Sequence, residues 1–381
     1  MNIVIAMDSM KGSLSSVAAG SAAASGIRRV LPDAEIRVFP AADGGEGTTE
    51  ALVTGCGGTY RSVQVSDPLG RKIHAQYGIL PDGTAVIEMA AASGLALLSS
   101  AERNPLHTTS AGFGEMIADA IRQGSRSLLL GIGGSATNDG GVGCLRALGF
   151  SFTDADGAEI SSGAAGLSAL RHIRCDAAMP TLADCDIRVA CDVTNPLCGQ
   201  NGCSVVFGPQ KGADADMALN MDDAMRHYAQ TVRYTLPDAD PDFPGAGAAG
   251  GLGFALRSFL GAKLEPGIGL VMRKTGLAAV ISDADFVITG EGCLDAQTVM
   301  GKVPAGIAGA ARQSGRPVIA FCGVAGENAR LCNDCGIDAF FPILRTVCTA
   351  EQAMQPDNAA RNLADTAEQA FRLILAARGR A

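Results

Sequence analysis

Again and again in this sequence a short apolar run gives way to a polar loop dense in glycine. The loops are DSMKGSLSS at 8–16, ADGGEGT at 42–48, GIGGSATNDGG at 131–141, ACDVTNPL and FGPQKGA between 190 and 213, and the glycine-flanked end of VITGEGCLDAQTVMGKVP at 287–304. An apolar run of four to eight residues bounded by glycine is the pattern of a strand buried on both faces. Parallel strands need long crossover connections, usually helices, so repeated runs with Ala-rich segments between them constrain the chain to an α/β fold.

The first block shows the pattern in full. NIVIAM reads as a strand, DSMKGSLSS as a loop and the Ala-rich segment reaching Val30 as a helix, with Ser13 or Ser15 as its N-cap because a hydroxyl accepts from a free first-turn amide. EIRVFP (35–40) is the next strand, which makes a right-handed βαβ unit. From about 59 to 89 the texture changes: TYRSVQVSD, RKIHAQYGIL and TAVIEMA, separated by PLG and PDG turns, read as an antiparallel hairpin set. SRSLLLGIGG (125–134) and DIRVACDVTNPL (186–197) are further strands, and GAGAAGGLGFALRSFLGA (245–262) is a glycine-rich entry to a helix. Regular alternation returns after residue 285 and closes with an amphipathic helix from about Glu351 to Ala377.

At 381 residues the chain exceeds one ordinary domain. Two regular βα blocks flank a less regular middle. The expected architecture is therefore a doubly wound, Rossmann-like or flavodoxin-like α/β domain formed by residues 1–66 and 283–381. A second α/β domain, 67–282, is inserted into it, and the active site is expected in the cleft between them.

Composition narrows the function classes. With no Trp and four Tyr there are few aromatic platforms for stacked bases, and a net charge of −9 without a dense Lys/Arg run disfavours nucleic acid and anionic membranes as partners. An anionic ligand must then be held locally, by backbone amides, a metal ion and a few placed cations. Of the twelve Cys only Cys332 and Cys335 form a C-x-x-C, and no second pair completes a zinc pattern. Scattered cysteines in apolar runs pack as small hydrophobes, and reduced thiols fit a cytoplasmic compartment. The N-terminal MNIVIAMDSMKG lacks a basic leader, and no apolar window reaches 18 residues, so neither a signal peptide nor a transmembrane helix is expected.

The strand-end loops carry the candidate chemistry, because ligands of open α/β sheets bind outside the carboxyl ends of the strands. Lys11 can bring a mobile charge to phosphate or carboxylate. Asp43 and Glu46, among glycines, suit Mg²⁺, a hard cation that takes oxygen ligands and keeps waters. GIGGSATNDGG has five glycines in eleven residues ahead of a helix, a nest of amide donors suited to anions. It matches neither the P-loop nor the dinucleotide loop. Asp192 ends an apolar strand, where a general base or metal ligand is expected, and Lys211 lies between glycines as a further phosphate contact. Glu291, Asp295 and Lys302 combine acids with a lysine, the components of phosphoryl transfer. The four His (74, 107, 172 and 227) lie outside these loops, so histidine chemistry is not central.

Taken together, DSMKGSLS, ADGGEGT, EMAAASGL, GIGGSATNDGG, ACDVTNPL, FGPQKGA, GAGAAGGLG and VITGEGCLDAQ…GKVP resemble the successive signature blocks of bacterial glycerate kinases of the glycerate 2-kinase type. Eight blocks in family order, from residue 8 to beyond 304, extend the resemblance over nearly the whole chain. Met10 stands where an aromatic is more usual and Cys293 where a polar or basic residue is expected, and neither removes a charged group. The resemblance implies ATP-dependent, Mg²⁺-requiring phosphorylation of D-glycerate, with 2-phosphoglycerate favoured over 3-phosphoglycerate. A homodimer is a candidate assembly that the sequence itself does not show.

Within that reading Asp192 is the expected base, with Asp43 and Asp295 next. Lys11 and Lys302 stabilise phosphate or the substrate carboxylate. The amides of Gly133, Gly134, Ser135, Ala136, Thr137 and Asn138, with Lys211, cradle the nucleotide phosphates, and Glu46, Glu291 and Asp295 are candidate Mg²⁺ ligands. The alternatives are a dehydrogenase, which would need a dinucleotide fingerprint after the first strand, a non-catalytic ATP sensor, and a kinase of another small hydroxy acid.

Overall fold

The first apolar run is buried from Ile3 to Met7 because it lies inside a sheet with neighbours on both edges. The structure is a computed structural model and describes residues 1–379. In chain order its strands begin with β1 (Asn2–Met7), β2 (Glu35–Pro40), β3 (Thr59–Ser66), β4 (Lys72–Ile79), β5 (Ala85–Glu88), β6 (Ser127–Gly131) and β7 (Ser151–Thr153). They continue with β8 (His172–Arg174), β9 (Asp186–Ala190), β10 (Lys263–Glu265), β11 (Phe286–Leu294), β12 (Val318–Ala325) and β13 (Ala339–Pro342).

The chain forms two compact units. One holds residues 1–43, 50–56 and those from 266 onward; the other holds 44–49 and 57–265. In the first unit the strands run β13-β12-β11-β1-β2, all parallel. Alternate residues of β1 enter different cores: Ile3, Ile5 and Met7 join one cluster, Val4 and Ala6 the other. A period of two with both faces apolar is what a doubly wound layer requires.

The helix Ser16–Arg28 is capped by Ser15, whose hydroxyl accepts from the Ala18 amide at 3.3 Å. It lies close against the closing helix Pro356–Arg378, and a Cβ at Gly26 would stand 1.9 Å from the Ala364 carbonyl. That clearance explains the Ala and Gly content of the segment. The tail is interrupted at Gln355, with a short helix at Ala350–Met354 before the long one.

In the second unit a six-stranded sheet runs β10-β9-β6-β5-β4-β3. β3, β4 and β5 are antiparallel, as the hairpin reading expects, while β5, β6, β9 and β10 are parallel. Asp67 shapes the first turn: its carboxylate accepts from the Leu69 and Arg71 amides, and Gly70 takes φ +82°. β3 pairs with β4 from Thr59 to Ser66 and so lies in this unit, whereas the helices Gly267–Thr275 and Leu277–Ser282 lie in the first. Those boundaries, at 56 and 266, stand ten or more residues from the 66 and 283 read off the sequence. No described helix is long and apolar enough to cross a membrane.

Candidate active site

The first unit's sheet reverses its direction of chain entry between β1 and β11, since β2 lies on one side of β1 and β11, β12 and β13 follow on the other. Crossovers leave to opposite faces at such a point and open a crevice at the carboxyl ends of the strands. A cavity of about 380 Å³ lies there, within the range of small-molecule sites. Its polar end is lined by Asp8, Lys11, Asp43, Glu291 and Lys302.

Asp8 follows the last residue of β1 and is only 6% exposed. Its amide donates to the Gly290 carbonyl (2.8 Å), and its Oδ1 accepts from the Ser9 amide (2.7 Å). Burial, then the Asp43 carboxylate, push its pKa up to about 7; the Ser9 amide and Lys11 oppose the shift and Glu291 adds to it.

Glu291, buried in the middle of β11, is also raised, chiefly by burial. The Thr298 hydroxyl donates to its Oε1 at 2.6 Å, and Lys302 Nζ stands 3.6 Å from its Oε2. Lys11 is exposed on a tight turn closed by the Met10 amide donating to the Leu14 carbonyl (2.8 Å), with Gly12 at φ +74°. Three carboxylates and two ammonium groups thus converge on one cavity.

Asp295 is placed differently from its expected role. Its Oδ1 accepts from the Gln297 amide (2.7 Å) and organises the turn that carries Thr298, and it does not line the cavity. Cys293, on the same segment, does line it.

In the second unit the loop 131–141 is largely closed by its own packing. Residues from Ser135 to Gly141 are buried, and only Gly133 and Gly134 reach the surface. The Gly133 amide donates to the Gly44 carbonyl (3.4 Å) and the Ala136 amide to the Ser93 carbonyl (2.9 Å). Asn138 donates to Ser204 Oγ at 2.9 Å. Asp139 is a cap: Oδ2 accepts from the Ser110 amide, the Ser110 hydroxyl and the Gly143 amide, and Oδ1 from the Gly141 amide.

Lys211 departs most from expectation. It is 2% exposed, and its Nζ donates to the Thr137 carbonyl at 2.6 Å, so it braces the loop from inside. Burial lowers its pKa to about 8, against Cys203 and Asp139, which raise it. The block GAGAAGGLG has a packing role too. Gly250 takes φ +67°, accepts from the Gly140 amide at 3.0 Å, and a Cβ there would stand 2.1 Å from the Thr137 carbonyl. Of the expected phosphate cradle Gly133, Gly134 and the edge of Ser135 are open to a ligand, while Thr137 Oγ1 and Asn138 Oδ1 are buried without a hydrogen-bond partner.

The remaining candidates lie on neighbouring strand-end loops of the second unit: a Cβ at Gly44 would stand 2.3 Å from the Ala190 Cβ, and one at Gly133 would stand 2.8 Å from the Gly45 Cα. Asp192 is half-buried two residues beyond β9, and Glu46 is exposed on a loop held by Glu88, whose carboxylate accepts from the Gly47 and Thr49 amides. Among the described residues no three His, Cys, Asp or Glu are grouped closely enough to hold a metal by themselves. Sequence reasoning passed over Asp8, although the signal was there. It is the first polar residue after an apolar strand, the criterion that singled out Asp192.

The chain is similar over nearly its whole length to known proteins of one family. The model of the Glycerate kinase family matches residues 3–375. The chain is 47% identical over 372 residues to Glycerate 2-kinase of Escherichia coli K12, covering 96% of this chain and 98% of that one. It is 45% identical to Glycerate kinase of Halalkalibacterium halodurans, over 95% and 97% of the two chains. A solved chain from Salmonella typhimurium LT2 assigned as glycerate kinase 2 superposes with a TM-score of 0.89 at 45% identity, covering 100% of this chain and 99% of that one.

Proposed function

The chain belongs to the glycerate kinase family, and we propose that it transfers the γ-phosphoryl group of ATP to the 2-hydroxyl of D-glycerate, with Mg²⁺, at the cavity between the ends of β1 and β11. The observation that carries this reading is the convergence of Asp8, Asp43 and Glu291 with Lys11 and Lys302 at the sheet's switch point. Phosphoryl transfer asks little covalent chemistry of a protein and much positioning and charge neutralisation. The name Glycerate 2-kinase of the E. coli relative supports the 2-phosphorylated product.

Asp8 is the proton acceptor in this proposal. One of its oxygens is held by Ser9, no described residue bonds the other, and the side chain lines the cavity at the end of a rigid strand. As the glycerate hydroxyl oxygen bonds to the γ-phosphorus, the bond to the bridging oxygen of ADP breaks and the hydroxyl proton passes to Asp8. Lys11 and Lys302 neutralise the transferring phosphoryl group or the substrate carboxylate. Thr298 and Lys302 hold Glu291 in place.

The residues fit a divalent ion. Three carboxylates face two lysines; burial chiefly raises the pKa values of Asp8 and Glu291, and the neighbouring Asp43 carboxylate adds to both. Mg²⁺ binds through one or two carboxylates plus phosphate oxygens, and Asp43 and Glu291 would hold it here. When bound, the ion supplies charge neutralisation to the triphosphate. Glu46 is the alternative ligand read from the sequence, and Gly133 and Gly134 remain the accessible part of the proposed anion nest. A cytoplasmic setting suits a chain none of whose twelve cysteines is in a disulfide.

An ADP-release assay with D-glycerate, L-glycerate and hydroxypyruvate, combined with phosphorus NMR of the product, tests the reading. Turnover with D-glycerate to 2-phosphoglycerate, abolished by EDTA, is expected. No ADP release, a 3-phosphorylated product or EDTA-resistant turnover would contradict it.

A further inference from the structure

The cavity has a second end that the proposed phosphoryl chemistry does not use. Beyond Gly292 and Gly323, which put no side chain over the ends of β11 and β12, its wall is formed by Val324, Ile343, Leu344 and Met354. Three of these stand open to solvent: Val324 is 50% exposed, Leu344 43% and Met354 45%. Large apolar side chains exposed together in a concave site mark a ligand surface rather than a core.

The two ends are continuous. A Cβ at Gly12 would stand 2.7 Å from the Met354 methyl, so the apolar wall abuts the turn that carries Lys11. A Cβ at Gly292 would stand 3.8 Å from the Lys11 amide nitrogen, and one at Gly323 would stand 2.6 Å from the Gly292 carbonyl, so the floor runs unbroken from β12 to that turn.

One polar group interrupts the apolar end. Asn362, on the helix Pro356–Arg378, lines the cavity, and no described residue hydrogen-bonds its side-chain amide. An amide offers a donor and an acceptor side by side, the pairing that reads the N6/N7 edge of adenine. A flat apolar ligand carrying that edge, joined to a polyanion, is an adenine nucleotide.

We infer that the apolar end, formed by Val324, Ile343, Leu344 and Met354 with Asn362, is the adenine subsite, so that the whole nucleotide lies in the first unit rather than on the loop 131–141. This rests on the kinase reading above, and it moves the nucleotide away from the glycine-rich loop that the sequence favours.

ADP binding by calorimetry, without glycerate, is the test, with KM values for both substrates beside it. Leu344→Glu and Met354→Glu place a carboxylate on exposed positions of the wall, which the fold tolerates. Each should weaken ADP binding and raise KM for ATP by about tenfold or more, while KM for D-glycerate moves less than about threefold. Asn362→Ala should lower the preference for ATP over GTP by about tenfold, since a site built to pair a polar edge loses discrimination when the pairing group is removed.

Photolabelling with 8-azido-ADP locates the base independently of activity, and labelled peptides should come from 320–362. Label confined to 131–141, or unchanged ADP affinity in both glutamate variants, would overturn the inference. Wild-type protein that binds ADP but does not turn over D-glycerate would instead overturn the kinase reading and leave the subsite standing.

Discussion

The two units both end strands in glycine-rich loops, and they use the glycines for different purposes. In the first unit Gly292, whose Cβ would meet nothing nearer than 3.8 Å, clears space at the floor of a cavity whose rim carries Asp8, Lys11, Asp43, Glu291 and Lys302. In the second, Gly140, Gly143 and Gly250 let buried segments touch: a Cβ at any of them would stand within 2.8 Å of a neighbouring atom. Glycine density therefore reports close backbone approach and does not say whether a ligand or the protein itself is approaching. What separates the two cases is whether charged side chains stand open beside the glycines.

The comparison can be broken from either side. The largest effect belongs to the first unit's cations. Lys11→Met with Lys302→Met should lower kcat/KM by roughly 10²–10⁴, because each charge contacting a phosphate is worth about 1.5–3 kcal/mol, with little change in Tm. Steady-state kinetics beside calorimetry check this, and a loss under tenfold would remove the two lysines from the site.

Next is Gly250→Ala in the second unit. It adds a Cβ 2.1 Å from a backbone carbonyl at φ +67°, and should cost about 3 kcal/mol or more in urea unfolding. Gly301→Ala, where the same Cβ meets open space and only φ +110° is at stake, should cost about 1 kcal/mol. Equal costs would refute the packing account of the second unit's glycines.

The smallest effect is Lys211→Met. It leaves the buried Thr137 carbonyl without its donor and relieves the burial of a charge, so the net loss should be about 1 kcal/mol at neutral pH. The pH signature is sharper. The folded pKa, about 8, lies below the ordinary 10.5, so the unfolded chain holds more protons between those values. The lysine's contribution to stability is present above pH 10.5 and is lost as pH falls through 8. Wild type should therefore gain on the methionine variant as pH rises across that window. A difference that does not vary with pH would mean that Lys211 is not buried as a cation.

Local order was readable in the sequence where local physics decides it. The opening βαβ unit, the Ser15 cap, the hairpins at 59–89 and the parallel, doubly wound character all follow from periodicity, turn residues and capping chemistry. The strand-end rule also brought Lys11, Asp43, Glu291 and Lys302 forward, and all four line one cavity. What was hidden depends on burial between distant segments. Lys211 between glycines looks like a free cation until the Thr137 carbonyl, 74 positions away, is seen to hold it. Asp295 looks like a ligand until its carboxylate closes a turn. Asp8 looks like the start of a loop until the parallel pairing of β1 with β11 places it beside Glu291 and Asp43.

The central claim is that the reacting proton goes to a carboxylate of the first unit. The kcat of Asp8→Asn and of Asp192→Asn at saturating ATP and D-glycerate, with thermal unfolding of each, tests it most directly. We predict a fall of 10²–10⁴ for Asp8→Asn, the range of general-base catalysis, with the fold intact, and less than tenfold for Asp192→Asn. A folded Asp8→Asn enzyme with near wild-type kcat, beside an inactive Asp192→Asn, would contradict the account.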